Sequence, residues 1–438
     1  MNNKLLNQVK NFKKFLTVGE LDLALKKLVG RKNIINLGKS DGGHEILCAK
    51  LGNGEKVALI FGFPHSNEPM GSLTCLSLIK IILKNKKLYN KFTWYVIPCA
   101  DPDGARLNQG WFKDKFSIKN YSLNYYRSKT PIQTDWSFPV KYKDYKFEKS
   151  PKNVLALAKL IRKVKPDLVY PIHNSGFSGA YFFITKGLPN KYYDKIKEFC
   201  NYLKIPMDLG EPEVIYMKEL KKPIYLDFGL EDEYNYYKEN AKNPKDVLNY
   251  GNTSINYARN FNPTVFGITG EIPYLYDPRI NSNYPTKRTR RENLVESNRI
   301  QRVSVNLILR ILSRSDINKK SIFYDTLKYD IKEYKQDLLA IKRTLKNEEY
   351  EEQATIAEEV STLIRTRFNL ALLLGEAKRL LLESKYSPEI EKLIISTEKK
   401  IDELVKYIER NSKYRILKIK KLVQFQLGFL LLTLDYLN

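Results

Sequence analysis

The stretch VALIFGFPHSNEPMGSLTCLSLIKIILKN, residues 57–85, decides the fold. Its first seven residues form a continuous apolar run, as expected of a strand that is buried on both faces. After the short loop PHSNE, apolar residues recur at helical spacing, and Pro69 suits the first turn of a helix. The stretch therefore predicts a buried strand followed directly by a helix.

Similar strands and helices alternate on either side of this stretch. Residues 92–98 (FTWYVIP), 167–173 (DLVYPIH) and 264–269 (TVFGIT) read as further strands, and a helix is predicted from Pro151 to just before Pro166. Alternation of this kind is typical of an α/β domain with a mostly parallel or mixed sheet.

The amino-acid composition changes after about residue 286. The remaining residues contain one proline and two glycines, and long segments are amphipathic at the helical period. We therefore predict an α/β domain over residues 1–290 and an all-α region of roughly four to six helices over 291–438. This helical region would pack on the first domain or carry a homo-oligomer contact.

The composition narrows the class of protein. The chain has 438 residues and a net charge of +26, but its lysines and arginines form no dense basic tract, which argues against nucleic acid as a partner. The most apolar stretch, residues 422–437, is shorter than a membrane span and predicts a buried helix. Four cysteines without a CxxC pair, together with an N-terminus unlike a signal peptide, predict a cytoplasmic protein with reduced thiols.

Two of the three histidines directly follow predicted strands. His65 follows residues 57–63 and lies three residues before Glu68, His173 ends the strand DLVYPIH, and Glu271 comes just after TVFGIT. Ligand sites of open α/β sheets form beyond the carboxyl ends of the strands, so these four side chains are expected at one edge. His44 precedes the first core strand and reads as a surface or turn residue.

Two histidines and one carboxylate suit a catalytic metal. They leave one position of a tetrahedral zinc ion open, unlike the ligands of a closed structural site. A water bound there loses a proton near neutral pH, and a nearby carboxylate can transfer that proton to the leaving group.

Four segments in order carry a resemblance: GFPHSNEPMG (62–71), PCADPDGARLNQGW (98–111), YPIHNSGFSGAY (170–181) and GITGEIPY (267–274). Over roughly residues 20–290 the chain resembles the zinc carboxypeptidase family. The resemblance implies an α/β/α sandwich with a mixed sheet, one zinc ion, and hydrolysis of a C-terminal peptide bond or a related amide. It implies that His65, Glu68 and His173 hold the metal and that Glu271 is the general acid/base.

The resemblance also implies residues that touch the substrate. Arg106 is the first candidate for the arginine that stabilises the oxyanion, and Arg127 is the second. The family holds the substrate carboxylate with an Asn-Arg pair, but here Asn124 is followed by Tyr125, which cannot form a charged bidentate clamp. For the tyrosine that covers the site, the candidates are Tyr250 and Tyr257.

Several other acidic residues are weaker candidates for the site. Asp101 and Asp103 are expected to shape a turn, although Asp103 could support a metal-bound histidine. Glu211, Glu213 and Asp277 are alternative acids that rank below Glu271, because none of them follows a core strand so directly.

Two other functions stay open on the sequence. Tyr125 favours, as an alternative to a peptide, an amidohydrolase or deacylase that acts on an acyl amino acid. A catalytically silent scaffold with a basic binding surface is the other alternative. The complete set of His65, Glu68, His173 and Glu271 argues against the scaffold.

Overall fold

The computed structural model describes residues 3–214, 216–240, 243–345 and 347–437. The strands are, in chain order, β1 (Ile34–Lys39), β2 (Glu45–Leu51), β3 (Lys56–Phe61), β4 (Phe92–Ile97), β5 (Val140–Tyr142), β6 (Tyr145–Phe147), β7 (Leu168–Pro171), β8 (Tyr181–Ile184), β9 (Glu219–Lys221), β10 (Ile224–Leu226), β11 (Phe266–Glu271), β12 (Leu275–Tyr276), β13 (Pro285–Thr289), β14 (Gln353–Thr355) and β15 (Arg415–Ile416).

The α-helices are, in chain order, α1 (Asn3–Asn7), α2 (Val18–Val29), α3 (Met70–Lys84), α4 (Lys86–Lys91), α5 (Pro102–Leu107), α6 (Ile118–Leu123), α7 (Lys152–Val164), α8 (Asn190–Leu203), α9 (Leu230–Glu239), α10 (Pro244–Val247), α11 (Ser254–Arg259), α12 (Arg290–Leu312), α13 (Ile322–Thr344), α14 (Ile356–Glu359), α15 (Arg365–Leu382), α16 (Pro388–Asn411) and α17 (Ile419–Leu434). A single π-helical turn, Val360–Ile364, precedes α15.

One large sheet organises the molecule. Among the described residues it has nine strands in the order β1-β2-β4-β3-β7-β11-β8-β10-β9. Strand β3 runs parallel to β4 and β7, and β7 runs parallel to β11. Strand β8 runs antiparallel to β11. The sheet is therefore mixed, as predicted, and β3, β7 and β11 end at the same edge.

Helices cover both faces of the sheet. Successive residues of β3 point to opposite faces, so Ala58 and Ile60 pack in one hydrophobic cluster while Leu59 and Phe61 pack in another. The first cluster includes α3, α8 and α17, and the second includes α7 and α11. This is the predicted α/β/α sandwich.

The C-terminal region is largely helical, as predicted. Helix α15 packs against α6, α12, α13 and α16, whereas α17 returns to the sheet and lies beside α3, α8 and β11. Apolar side chains of both regions share one cluster. The division of the chain at residue 290 remains a prediction.

The described residues include no helix that is both long and apolar enough to cross a membrane. All four cysteines are buried and unpaired. Burial raises the pKa of the Cys48 thiol to about 12, so it stays in the neutral form that suits a core residue.

Candidate functional site

The loop that carries His65 and Glu68 begins where β3 ends. Its sharp return into α3 depends on two glycines: a Cβ at Gly62 would lie 2.6 Å from the backbone of Gly71, and one at Gly71 would lie 2.9 Å from Gly62. Phe63 adopts a positive φ of 55°, which turns the chain toward the sheet edge. The local sequence thereby places His65 and Glu68 beyond the carboxyl end of β3.

His65, Glu68 and His173 converge. A potential ligand atom from each lies within 4.8 Å of the others, and all three residues are buried. His173 Nδ1 is 3.3 Å from Glu68 Oε2. His65 Nδ1, Glu68 Oε2 and His173 Nδ1 are buried atoms without a hydrogen-bond partner. Leaving such atoms unsatisfied is costly, and a bound cation would satisfy all three together. The donor set therefore fits a zinc ion.

The charges around His173 support the same interpretation. Burial alone would lower the pKa of His173, but the carboxylates of Glu68 and Asp135 outweigh it and raise this pKa well above its usual value. Burial, together with Arg127, lowers the pKa of His65 well below its usual value. The cluster thus attracts positive charge at one histidine and keeps the other neutral, ready to donate a lone pair.

Asp135 orients His173. It lies in a short 3-10 turn, and its Oδ2 accepts a hydrogen bond of 3.0 Å from His173 Nε2. Its Oδ1 accepts from the Ser254 amide at 2.8 Å, which fixes the carboxylate. A proton on Nε2 leaves Nδ1 free to face the site, and this is how an outer carboxylate sets the tautomer of a metal-binding histidine.

Glu271 is the last residue of β11 and reaches the same centre. Its Oε1 lies 3.8 Å from His173 Nδ1. Burial raises the pKa of Glu271 to about 8; His173 opposes this shift, and the neighbouring carboxylate of Glu68 adds to it. A carboxyl group that titrates close to neutral pH is suited to proton transfer.

Arg127 also lies at the centre. Its Nη1 is 3.7 Å from Glu68 Oε1, and its backbone N–H donates to the buried Glu376 Oε1 at 2.8 Å. The loop around it is joined to the His65 loop, because Ser66 Oγ donates to the Tyr126 carbonyl at 3.0 Å. The guanidinium is therefore held where it can meet developing negative charge.

Helix α17 contacts the segments that carry His173 and Glu271. The buried Gln426 donates through Nε2 to the carbonyls of His173 and Gly270, each at 2.6 Å. These two carbonyls belong to the segments that carry His173 and Glu271. One side chain from the C-terminal helix therefore sets the spacing between the two segments.

Residues 24–179 match the family model described as zinc carboxypeptidase. The match includes His65, Glu68 and His173, and Glu271 lies beyond it. The protein is a hydrolase of the zinc metallocarboxypeptidase type, and the resemblance found in the sequence is confirmed. A comparison with curated proteins finds no match.

Solved zinc carboxypeptidases resemble the chain only distantly. Carboxypeptidase A from Helicoverpa armigera is 16% identical over 62% of this chain and 70% of its own, with a TM-score of 0.39. A metallo-carboxypeptidase from Burkholderia cenocepacia is 16% identical over 59% of this chain and 60% of its own, with a TM-score of 0.32. A murein-tripeptide amidase from Escherichia coli O157 is 13% identical over 55% of this chain and 83% of its own, with a TM-score of 0.28. Structural similarities this weak do not support a statement about function.

The cavity of this zinc carboxypeptidase site has a volume of about 270 Å³. Its lining combines the four predicted residues with polar groups from several parts of the chain. The lining residues are His65, Glu68, Arg127, Asp135, Trp136, His173, Asn174, Ser175, Gly176, Phe177, Ser178, Tyr181, Phe183, Glu213, Asp227, Phe228, Thr253, Thr269, Glu271, Arg365 and Asn369.

Three predicted residues of the substrate site are not in this lining. Arg106 is exposed on α5, whereas Arg127 Nη1 lies 3.7 Å from Glu68 Oε1. Asn124 donates to the Asn120 carbonyl at 3.1 Å, as a residue that closes a helix does. Tyr125 is buried in the core with its ring 5.5 Å from that of Tyr121.

The two predicted covering tyrosines also lie elsewhere. Tyr250 donates its hydroxyl to Glu233 and packs against Trp136, and Tyr257 packs against Phe138 with ring centroids 5.2 Å apart. Neither lines the cavity. The tyrosine that does is Tyr181, the first residue of β8, and its hydroxyl donates to Glu213.

Of the alternative acids, only Glu213 lines the cavity. Glu211 pairs with Arg290 at 2.8 Å, and Asp277 pairs with Arg279 at 2.7 Å. Asp101 caps α5 by accepting from the Gly104 amide, which is the turn role that the sequence predicts.

Asp103, in α5, lies beside His44, which is in the turn between β1 and β2. Asp103 accepts from Ser40 Oγ at 2.6 Å and from the Gly42 amide at 2.8 Å, and its carboxylate lies 4.0 Å from His44 Nε2. Asp103 therefore holds the β1–β2 turn and supports neither His65 nor His173.

Proposed function

We propose that the protein hydrolyses the C-terminal peptide bond of a peptide or a closely related amide, with one zinc ion held by His65, Glu68 and His173. The observation that carries the proposal is the convergence of these three ligands with Glu271 and Arg127 in one cavity. A zinc ion bound there acts as a Lewis acid and lowers the pKa of a coordinated water.

Glu271 is the proposed proton carrier. The carboxylate accepts a proton from the attacking water and then delivers it to the nitrogen of the breaking amide bond, so one water is consumed and a carboxylic acid and an amine are released. The pKa of Glu271, which burial raises to about 8, and its distance of 3.8 Å from His173 Nδ1 support this role. A positioned acid/base of this kind contributes about 10²–10⁴-fold to the rate.

Arg127 is the proposed oxyanion stabiliser. As the nucleophile adds, the carbonyl oxygen of the scissile bond becomes negative, and a fixed guanidinium stabilises that charge more in the transition state than in the substrate. Its anchoring through Glu376, together with the distance of 3.7 Å between its Nη1 and Glu68, supports the assignment.

A digest of a peptide library by the zinc-loaded protein, read by mass spectrometry, tests the proposal. We expect loss of single C-terminal residues with the wild type and a 10²–10⁴-fold slower loss with Glu271→Gln. A parallel panel of N-acyl amino acids examines the deacylase alternative. Cleavage restricted to that panel, or full activity of Glu271→Gln, would contradict the proposal.

A further inference from the structure

A second arginine faces the cavity, and the hydrolytic steps above do not use it. Arg365 is the first residue of α15 and lines the same cavity as His65, Glu68 and His173. It lies 186 positions beyond the last residue of the family match, which ends at residue 179. Among the lining residues, Arg127 and Arg365 are the only permanently charged cations, and Arg127 is next to Glu68.

The backbone before Arg365 is unusual. A π-helical turn, Val360–Ile364, comes directly before it, and such turns are rare and often found at functional sites. Arg365 Nε donates to the Ser361 carbonyl and Nη2 donates to the Glu211 carbonyl, each at 3.3 Å. These two long contacts direct the guanidinium without neutralising its charge.

Asp208 and Glu213 share cavity linings with Arg365, and each accepts hydrogen bonds from other groups. Asp208 Oδ2 lies 3.9 Å from Arg365 Nη1, but this oxygen accepts from the Gly179 amide at 3.0 Å and the other oxygen accepts from the Gly210 amide at 2.8 Å. Glu213 accepts from the hydroxyl of Tyr181. The guanidinium therefore retains donors for an anion that enters the cavity.

Asn369 adds a second donor on the same side. It lies four residues after Arg365 on α15, so the two side chains project from one face of the helix. Asn369 is also part of the cavity lining and is exposed. A planar guanidinium beside an amide matches the two oxygens of a carboxylate.

Helix α15 is in direct contact with the segment that carries Arg127. A Cβ at Gly375 would lie 1.7 Å from the Ser122 carbonyl oxygen, so the helix and the chain at residue 122 are in direct backbone contact. Arg379 Nη1 donates to the carbonyl of Tyr125 at 3.0 Å, and Glu376 accepts from the Arg127 amide. The helix that carries Arg365 thus also fixes the loop that carries Arg127.

We propose that Arg365, assisted by Asn369, binds the free carboxylate of the substrate, and that the C-terminal helical region thereby completes the active site. The inference rests on the proposed hydrolase function and adds the residue that selects for a free terminus. It also explains how a carboxylate can be bound although Asn124 and Tyr125 lie outside the cavity. Arg365 would contact the substrate itself, because the free carboxylate belongs to the leaving residue and is separated from the scissile nitrogen by one carbon atom.

The test uses N-acetyl dipeptides, each as the free acid and as the C-terminal amide. Binding to the full-length, zinc-loaded Glu271→Gln protein is measured by titration calorimetry, which avoids turnover. We expect the acid to bind more tightly than the amide. Adding Arg365→Met should weaken acid binding roughly 10- to 100-fold and change amide binding less than about threefold, because only the acid loses a charge-assisted pair.

Three further variants keep the test decisive. Arg365→Lys should retain part of the preference for the acid, Asn369→Ala should weaken acid binding a few-fold, and Arg302→Met is the matched control at an exposed position of α12. If Arg365→Met does not fold, Arg365→Lys and Asn369→Ala still decide. An equal loss for acid and amide, no effect of any variant at residues 365 and 369, or no acid preference in the parent protein would overturn the inference.

The same reagents separate this inference from the proposed function. Hydrolysis by protein with Glu271 intact, together with an acid preference that the Arg365 variants leave unchanged, refutes the role of Arg365 alone. Acid-selective binding that Arg365→Met abolishes, without hydrolysis of any dipeptide, refutes the proposed peptidase activity alone.

Discussion

Replacing Asp135 with Asn should weaken zinc binding although Asp135 is not itself a ligand. The carboxylate uses one oxygen for His173 Nε2 (3.0 Å) and the other for the Ser254 amide (2.8 Å). Asn is the same size but has only one acceptor oxygen. If the Asn oxygen faces His173, its NH₂ group faces the Ser254 N–H, and two donors then meet. If the oxygen faces Ser254 instead, His173 Nε2 has no acceptor, and the tautomer that leaves Nδ1 free is no longer favoured.

The size of the effect follows from burial. Both the His173 and Asp135 side chains are 6% exposed, so water cannot replace the lost contact. An unsatisfied buried donor costs about 1–3 kcal/mol. Loss of an outer partner of a metal-bound histidine typically lowers metal affinity by about 10–100-fold. We therefore expect a 10–100-fold rise in the zinc Kd.

Competition with a chromophoric chelator at fixed pH measures this Kd. The matched control is Asp167→Asn, at the opposite edge of the sheet, where the carboxylate also accepts two hydrogen bonds, from the Val57 amide at 2.7 Å and from Asn262 Nδ2 at 3.3 Å. Asp167→Asn should lower the free energy of unfolding and leave the zinc Kd unchanged. An unchanged Kd in Asp135→Asn, or an equal rise in the control, would refute the reasoning.

Three other substitutions test separate parts of the structure. Arg127→Met should lower kcat/KM on a cleaved peptide by about 10²–10³-fold whereas Arg106→Met should change it less than twofold; equal losses in progress-curve assays would point away from Arg127. Burial raises the pKa of Asp101 to about 7, above its value in the unfolded chain. Between about pH 4 and pH 7 the folded state therefore keeps a proton that the unfolded state has lost. The free energy of unfolding thus falls as the pH rises through this range. Urea unfolding at pH 5 and pH 8 should show that Asp101→Asn, which can still cap α5, removes up to about 3 kcal/mol of this fall; an unchanged fall would count against the assignment. Glu376→Ala should lower the free energy of unfolding by about 1–3 kcal/mol and reduce turnover, because the Arg127 amide loses its acceptor, while Glu376→Gln keeps a carbonyl there and should behave like the wild type in both assays.

The metal cluster could be predicted from the sequence because local patterns determine it. A continuous apolar run followed by a histidine identifies the end of a buried strand, and the ends of β3, β7 and β11 meet at one edge because these strands are parallel. The positions of His65, Glu68 and His173 at this edge could be predicted without knowing the conformation of the loops. The strand ending in Glu271 was predicted to stop two residues earlier than it does.

Residues away from the ends of the core strands could not be placed in this way. Tyr250 and Tyr257 were chosen from thirty tyrosines, and nothing in the sequence around them says whether a ring faces a core or a cavity. Asp135 has no strand before it that would mark it as part of the site. Its role depends on a 3-10 turn whose position is set by tertiary contacts with residue 254.

Arg365 shows a different limit. It lies in an amphipathic helical region whose sequence pattern predicts packing and no chemistry. Its approach to the cavity depends on the π-helical turn and on the contact of Gly375 with the Ser122 carbonyl. Both features depend on how two regions that are distant in the sequence pack together. Neither produces a periodic pattern of apolar residues that could be recognised in the sequence.

Zinc binding to four full-length proteins tests the central claim most directly. Equilibrium dialysis followed by elemental analysis should find one zinc ion per chain in the wild type and in Glu271→Gln, and strongly weakened binding in His65→Ala and His173→Ala, because two remaining ligands hold zinc poorly. A wild type that takes up no zinc, or a His173→Ala variant that binds it as tightly as the wild type, would contradict the account.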